Sequence, residues 1–274
     1  MDTKVSVIIP SLDGNRGGNL EKLKEQLKRQ SLQPLEIIVV TGISPNGKAR
    51  NEGAVKACGE YLVFIDDDVS LGNEKVIENL VKPFKETNNI GMTGPSQLIP
   101  EGSSWFQMIS SKQIPRSSFP VQDRLIDSDM VTHTCLCMSA NLFKEIGMEN
   151  PNIVSGTDPD LRYRVRNAGY RICVVPDTWA YHPMPDYFTT LMSKAFARGQ
   201  NSAEVRINSP DMIFELGEGY NMDFIPKRNL FFRFLRMCYR TILCLFSGKF
   251  IAMSYMLSYS AGNILHTIRR NLIH

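Results

Sequence analysis

Three consecutive carboxylates, Asp66, Asp67 and Asp68, follow directly on the apolar run Tyr61-Leu62-Val63-Phe64-Ile65. A run of this length, β-branched and aromatic, suits a buried strand of a parallel sheet. The acids would then sit at the carboxyl edge, where open α/β sheets bind ligands. Adjacent carboxylates repel one another unless a cation or a proton offsets them. An all-oxygen set suits a hard divalent ion, Mg2+ or Mn2+, which keeps water or phosphate oxygens as its remaining ligands. The plain alternative is a solvated acidic turn that caps the next helix.

Other groups able to do chemistry are spaced along the chain. Lys48 and Arg50 open the stretch KARNEGAVKACG, which reads as a helix. Two cations at a helix N-terminus suit a phosphate or diphosphate, because the free N–H groups and the dipole act in the same direction; ordinary surface cations are the other reading. Asp158 and Asp160 start a further helix, SGTDPDLRYRVRNAG, where acids also simply favour the dipole. VVPDTWAYH ends in His182, and a lone histidine is more often structural than a ligand.

The elements that must position these groups alternate. KVSVIIP (residues 4–10) reads as a strand, a polar loop runs from Ser11 to Gly18, and Leu20, Leu23, Leu27 and Leu32 form the apolar stripe of a helix. LEIIVVT (35–41) is a second strand, so the short links imply a right-handed crossover and a parallel sheet. After the acidic strand end come a helix over about 73–87 and a short strand at 90–93. Residues 96–129 lack periodicity and read as a long functional loop. MVTHTCLCMS (130–139) reads as a strand, 140–146 as a short helix and 187–199 as a further helix ending at Arg198 and Gly199.

With 274 residues, 43% of them hydrophobic, the chain can bury one large core plus an appendage. The formal charge of +3 hides an asymmetry: eight Lys or Arg and no acid lie from Lys227 onward, leaving the rest net acidic. KRNLFFRFLRMCYR places Leu230, Phe231, Phe234, Leu235 and Cys238 on one helical face and Arg233, Arg236 and Arg240 on another. Such a helix lies well on an anionic membrane surface. Residues 241–267 are too polar for a confident span, and Ser254, Ser258 and Gly262, four apart, permit close helix contact. The alternative is a helical pair packed on the rest of the chain or in a dimer. Six cysteines without a CxxC spacing argue for free thiols in reducing cytosol and against zinc, and the opening MDTKVSVIIPSL is not a secretory signal.

Taken in order, VSVIIPSLDG, EIIVV, GKARNEGAVKACGEYLVFIDDDV, TDPDLRYRVRNAGYRI and the final YH resemble the family 2 glycosyltransferases of GT-A fold, over about residues 4–200. The resemblance implies a mostly parallel sheet sandwiched by helices in a catalytic domain at 1–205, a linker at 206–226 and a membrane-associating helical tail at 227–274. It also implies a Mn2+- or Mg2+-assisted, inverting transfer of one sugar from a nucleoside-diphosphate sugar to a saccharide or lipid-linked acceptor. By that resemblance Asp68 is the direct metal ligand, with Asp66 and His182 completing the metal or diphosphate contacts and Asp67 at the ribose or behind the metal's direct ligands. Asp158 is the general base, Asp160 orients it or touches the acceptor, and Pro10, Ser11, Asp13, Thr41, Lys48, Arg50 and Arg198 belong to donor or acceptor binding. The family's base-reading acid after the second strand is replaced here by Thr41-Gly42, and its processive Gln-x-x-Arg-Trp motif is absent. A cytoplasmic enzyme at the inner face of the membrane is expected, without nucleic acid and able to form homo-oligomers. Two rivals stand beside it. DDDV also fits the Asp-x-Asp-x-Val signature of haloacid-dehalogenase phosphohydrolases, with Asp66 as nucleophile, and the missing acid fits a nucleotide-binding homologue without catalysis.

Overall fold

The computed structural model describes residues 3–114, 117–154, 157–208 and 229–273. Their contacts divide the chain into two units. The first holds the residues up to Pro100 and Phe119–Pro183, and the second holds Glu101–Ser118 and the helices beyond Met184.

Strands β1 (Val5–Ser11), β2 (Glu36–Thr41) and β3 (Tyr61–Ile65) carry the expected crossovers, through helices α1 (Asn19–Lys28) and α2 (Asn46–Lys56). Then follow β4 (Ser70–Leu71), α3 (Val76–Glu86), β5 (Ile90–Leu98), β6 (Ile126–Asp127), β7 (Cys135–Ser139), α5 (Ala140–Glu145), α6 (Thr157–Asn167) and β8 (Arg171–Tyr181), with α4 (Trp105–Gln113) belonging to the second unit. The sheet order is β2-β1-β3-β7-β5-β8-β4, with β6 on β8. β2, β1, β3, β5 and β8 share one direction, and β7 runs against both its neighbours. This is an α/β fold with a mostly parallel sheet between helical layers.

Period-2 alternation divides the core between the two faces of the sheet. Val5, Val7 and Ile9 of β1 join Val63 and Ile65 of β3 under Leu20, Leu23 and Leu27 of α1 and Ile77 and Leu80 of α3. Ile8, Leu62 and Phe64 turn the other way, toward Phe143 of α5 and Leu161 and Val165 of α6. Each such side chain contributes roughly 1.5–3 kcal/mol of transfer free energy on burial. Gly53 lets α2 lie directly on β1, since a Cβ there would overlap the Ile8 side chain.

Two expected elements differ. The strand read from Met130 begins only at Cys135, and the residues before it form a buried loop tied to α6 by the Arg162 guanidinium, which donates to the Val131 carbonyl at 2.6 Å. The region 96–129, read as loop, continues β5 to Leu98 and contains α4, whose start is closed by a capping box between Ser104 and Gln107.

In the second unit, α4, α7 (Phe188–Asn208), α8 (Leu230–Phe246) and α9 (Phe250–Ile273) associate. Gly199 of α7 and Gly262 of α9 bring two backbones together, because a methyl at either would overlap the Tyr259 or the Phe196 carbonyl. Ser258 donates to the Met192 carbonyl at 2.8 Å, so the close contact read from Ser254, Ser258 and Gly262 is made with α7 of the same chain. α8 keeps Phe231, Phe234, Leu235, Tyr239, Ile242 and Phe246 exposed. Among the described residues no helix is long and apolar enough to cross a membrane. The expected linker lies mostly outside the described residues, and the six cysteines are free thiols.

Candidate active site

The carboxyl ends of β1 and β3 hold the first cluster. Ser11, the last residue of β1, is buried and donates its hydroxyl to Asp67 at 2.6 Å. Asn19, at the start of α1, donates to the Asp67 and Val69 carbonyls at 2.8 and 3.1 Å and so fixes the acidic turn from below. Each carboxylate then has a different neighbour. Asp66 accepts from Arg50 at 2.7 Å, Asp67 also lies 3.5 Å from the Arg16 guanidinium, and Asp68 accepts from Arg16 at 2.8 Å while facing His182 Nε2 at 3.5 Å. Burial raises the Asp67 carboxyl above its ordinary value, with Ser11 and Arg16 working against that rise.

Arg16 was not legible as a site residue. It sits on the loop after β1, where Asp13 accepts from the Asn15 and Arg16 amides at 2.9 and 2.8 Å. Those bonds hold the exposed Asp13 carboxylate low, and Asp13 here shapes the loop that presents Arg16. Pro10 is buried within β1, Thr41 is exposed at the end of β2, and Lys48 is exposed on α2. Arg50, one turn into α2, points inward and is 3% exposed.

A second cluster surrounds Asp158, in the first turn of α6. His133, on the loop before β7, gives one Asp158 oxygen two contacts: its backbone N–H donates to Oδ1 at 2.6 Å, and its ring Nδ1 lies 2.6 Å from the same atom. The opposite ring nitrogen, Nε2, meets the Glu149 carboxylate. Glu149 is itself clamped by Asn51 of α2, which donates to the Glu149 carbonyl at 2.9 Å and accepts from its amide at 2.8 Å. Burial and the nearby Arg50 charge oppose protonation of His133, but Glu149 and Asp158 outweigh them and bring its pKa to about 9. Burial works to raise Asp158, yet the charge and hydrogen bonds of His133, with help from Arg162, hold it well below the usual carboxylate range.

The two clusters adjoin. The Asp66 amide donates to the Thr134 carbonyl at 3.2 Å, so the residue after His133 closes directly on the acidic strand end. Asp160 is 3% exposed and accepts from Arg164 through one oxygen, Oδ2, at 3.0 and 2.7 Å, while its Oδ1 is buried with no partner among the described residues. Arg198 belongs to the second unit, where it donates to the Tyr255 hydroxyl at 2.9 Å.

The profile of a family described as a glycosyltransferase like family matches residues 20–132. Among solved structures, the chain is similar to the mannosyltransferase PcManGT from Pyrobaculum calidifontis, in complex with GDP-Man and Mn2+. The TM-score is 0.60 at 13% identity, over 96% of this chain and 88% of that one. It is also similar to GalNAc-T7 with UDP, GalNAc and Mn2+, at a TM-score of 0.52 and 15% identity, over 79% of this chain and 52% of the other. No curated protein matches by sequence. The chain shares the fold of these GT-A glycosyltransferases, and its residues 20–132 match the glycosyltransferase-like family. The matched stretch contains Arg50, the three aspartates and the loop up to Thr132, while the Asp158 cluster is completed by residues beyond it.

Among the described residues, no three His, Cys, Asp or Glu side chains gather into a ready metal cage. The donor set nevertheless fits an ion that brings most of its shell with it. Asp68 and His182 supply one carboxylate oxygen and one imidazole nitrogen on facing segments, and the present partner of Asp68, Arg16, has a half-exposed side chain on a loop. Mn2+ or Mg2+ is commonly held by one or two protein ligands plus phosphate oxygens. Asp66 turns instead toward the buried Arg50.

Proposed function

We propose that this domain transfers a single sugar, with inversion, from a nucleoside-diphosphate sugar to the hydroxyl of a saccharide or lipid-linked acceptor. The observation that supports it is the junction of Asp66 with Thr134, which sets the acidic strand end beside the loop that holds Asp158. One cluster suits a diphosphate and the other an acceptor hydroxyl.

Asp68 and His182 would hold the divalent ion, which when bound offsets charge on the departing diphosphate. Asp67, steadied by Ser11, takes the ribose, and Arg16 and Lys48 are the cations within reach of phosphate. Arg50 keeps Asp66 in place. Asp158 Oδ2 has no partner among the described residues and accepts the acceptor's proton. The acceptor oxygen forms its bond to the anomeric carbon as the bond from that carbon to the phosphate oxygen breaks, and the electron pair leaves with the diphosphate. Attack opposite the leaving group inverts the centre.

The phosphohydrolase reading needs Asp66 as a free nucleophile, and its pairing with buried Arg50 disfavours that. Exposed Phe and Leu side chains on α8, together with a basic C-terminal segment free of acids, support attachment to an anionic membrane surface near a lipid-linked acceptor.

The test is a thermal-shift panel of UDP, GDP, CDP and dTDP, with and without Mn2+, on the full chain and on Asp68→Asn. One nucleotide should stabilise the protein only with metal; at about 100 times its Kd the gain is roughly 2.7 kcal/mol, several degrees in Tm. The substitution should abolish the gain. Stabilisation by no nucleotide would remove the donor site from the reading.

A further inference from the structure

Beside the acidic strand end lies an array of charged groups: the buried Glu149 and His133 and the one-third-exposed Asp158, with Arg50 and Arg162 nearby. Glu149 is 1% and His133 3% exposed. Burying the Glu149 carboxylate against the His133 imidazole costs several kcal/mol unless the charges are matched, whereas the Asp158 side chain on the other side of the ring keeps a third of its surface open. A purely structural histidine needs one carbonyl or one water, not two acids from different segments.

The geometry states the protonation. Both ring nitrogens lie within hydrogen-bond reach of a carboxylate oxygen. In a neutral ring one nitrogen would carry a lone pair and face an oxygen lone pair. With both acids ionised, both contacts are therefore attractive only when the ring carries two protons. Asp158 is meanwhile held by a single oxygen, Oδ1, on which the His133 backbone and ring converge, and Oδ2 is left over.

We propose that His133, braced from behind by Glu149, is the positioning residue of the catalytic base, fixing Asp158 as an ionised carboxylate with Oδ2 turned to the acceptor hydroxyl. The inference rests on the glycosyl-transfer reading above. Basicity is not what such a site requires. As the acceptor oxygen bonds to the anomeric carbon it gains positive charge, and its proton becomes far more acidic than that of a free alcohol. What matters is that Asp158 is already ionised and already aimed, and an imidazolium locked between two acids secures both. The proton leaves the acceptor oxygen for Asp158 Oδ2 and departs with solvent after product release, while His133 keeps both of its own. The groups facing this array are Glu149 from the segment after α5, Arg50 from α2, and Asp158 and Arg162 from α6.

The experiment uses the full chain and the variants His133→Asn, His133→Leu and Glu149→Gln. Binding of UDP, GDP, CDP and dTDP with Mn2+ is measured first, and nucleoside-diphosphate release from the matching nucleotide sugars is then followed from about pH 4.5 to 9, where the acid limb of kcat/KM reports the free base. In all three variants nucleotide binding should stay within about twofold of the parent, while kcat falls by about 10- to 100-fold, within the range for loss of base function. The parent should show no acid limb from Asp158 in this window, since that carboxyl lies below the usual carboxylate range, and loss of the cation beside it should move the limb up into the window, less so in Glu149→Gln. His133→Asn, which keeps a donor to Oδ1, should retain more kcat than His133→Leu. An unmoved acid limb, or a loss confined to nucleotide affinity, overturns the inference while leaving glycosyl transfer standing. A parent protein that turns over no nucleotide sugar overturns the transfer reading, and the inference with it. If the His133 variants do not fold, Glu149→Gln and ring 15N spectra of the parent decide: a neutral His133 ring near pH 7 is the overturning result.

Discussion

The Arg50 guanidinium donates to Asp66 at 2.7 Å from a position where only 4% of its side chain meets solvent. Its Nε is buried with no partner among the described residues, so this ion pair is its main compensation for lost hydration. Arg50→Met removes the cation and leaves Asp66 and the Glu149–His133–Asp158 array without it. Urea unfolding should show a loss of about 3 kcal/mol, the lower end for a broken buried pair because Asp66 remains a quarter exposed. Arg50→Lys should recover only part, since a compact ammonium is more strongly hydrated than a guanidinium and costs more to bury at this position.

Stability should depend on pH through the same array. His133 is raised to about 9 from its ordinary 6.5, so its contribution is complete below pH 6.5 and is lost as pH rises through 9. Asp158 is lowered, so its contribution is present above its ordinary 3.8 and fades only as pH falls through its lower folded value. Unfolding free energy measured across this range should be highest between about pH 4 and 6.5 and fall by a few kcal/mol toward pH 9. In His133→Asn the fall above pH 6.5 should flatten.

Membrane attachment has a direct measurement. In flotation, the full chain should rise with vesicles rich in phosphatidylserine and much less with phosphatidylcholine, and added salt should release it, each nearby Lys or Arg being worth about 1 kcal/mol. Phe231→Ser with Phe234→Ser on the exposed face of α8 should weaken flotation while leaving nucleotide binding unchanged. Equal recovery with and without anionic lipid would count against this role.

The α7–α9 contact offers a packing test. Gly199→Ala places a methyl into the Tyr259 carbonyl, and overpacking of this kind costs about 1–3 kcal/mol. Heating should separate that variant from the parent by several degrees, whereas Ala203→Gly, later on the same helix, should cost about 1 kcal/mol by helix propensity.

The first half of the domain could be read from the chain because its signals are local. Each of β1, β2 and β3 is an apolar run closed by a polar residue, and Asp66–Asp68 mark the edge where they end. The Ser104–Gln107 capping box was equally readable within 96–129, although the absence of apolar periodicity there concealed α4. His133 and Glu149 were not legible. They lie 25 and 9 residues from Asp158, and what joins them is the β3–β7–β5 order, a tertiary fact. MVTHTCLC alternates well enough to pass for strand throughout, which hid the buried loop that turns His133 toward α6. Arg16 escaped for a similar reason, since nothing local announces that Asp13 bends its loop back over Asp68.

The backbone contact at Gly199 and Gly262 also bears on how the protein can be handled. Cutting the chain before Lys227, the obvious way to discard a sticky tail, would strip α9 from α7 and bare the seam where two main chains touch. The exposed polar groups and small side chains of that seam would then seek another copy. A shortened protein should therefore precipitate more readily than the full one, and solubility is better sought by changing single aromatic residues on α8.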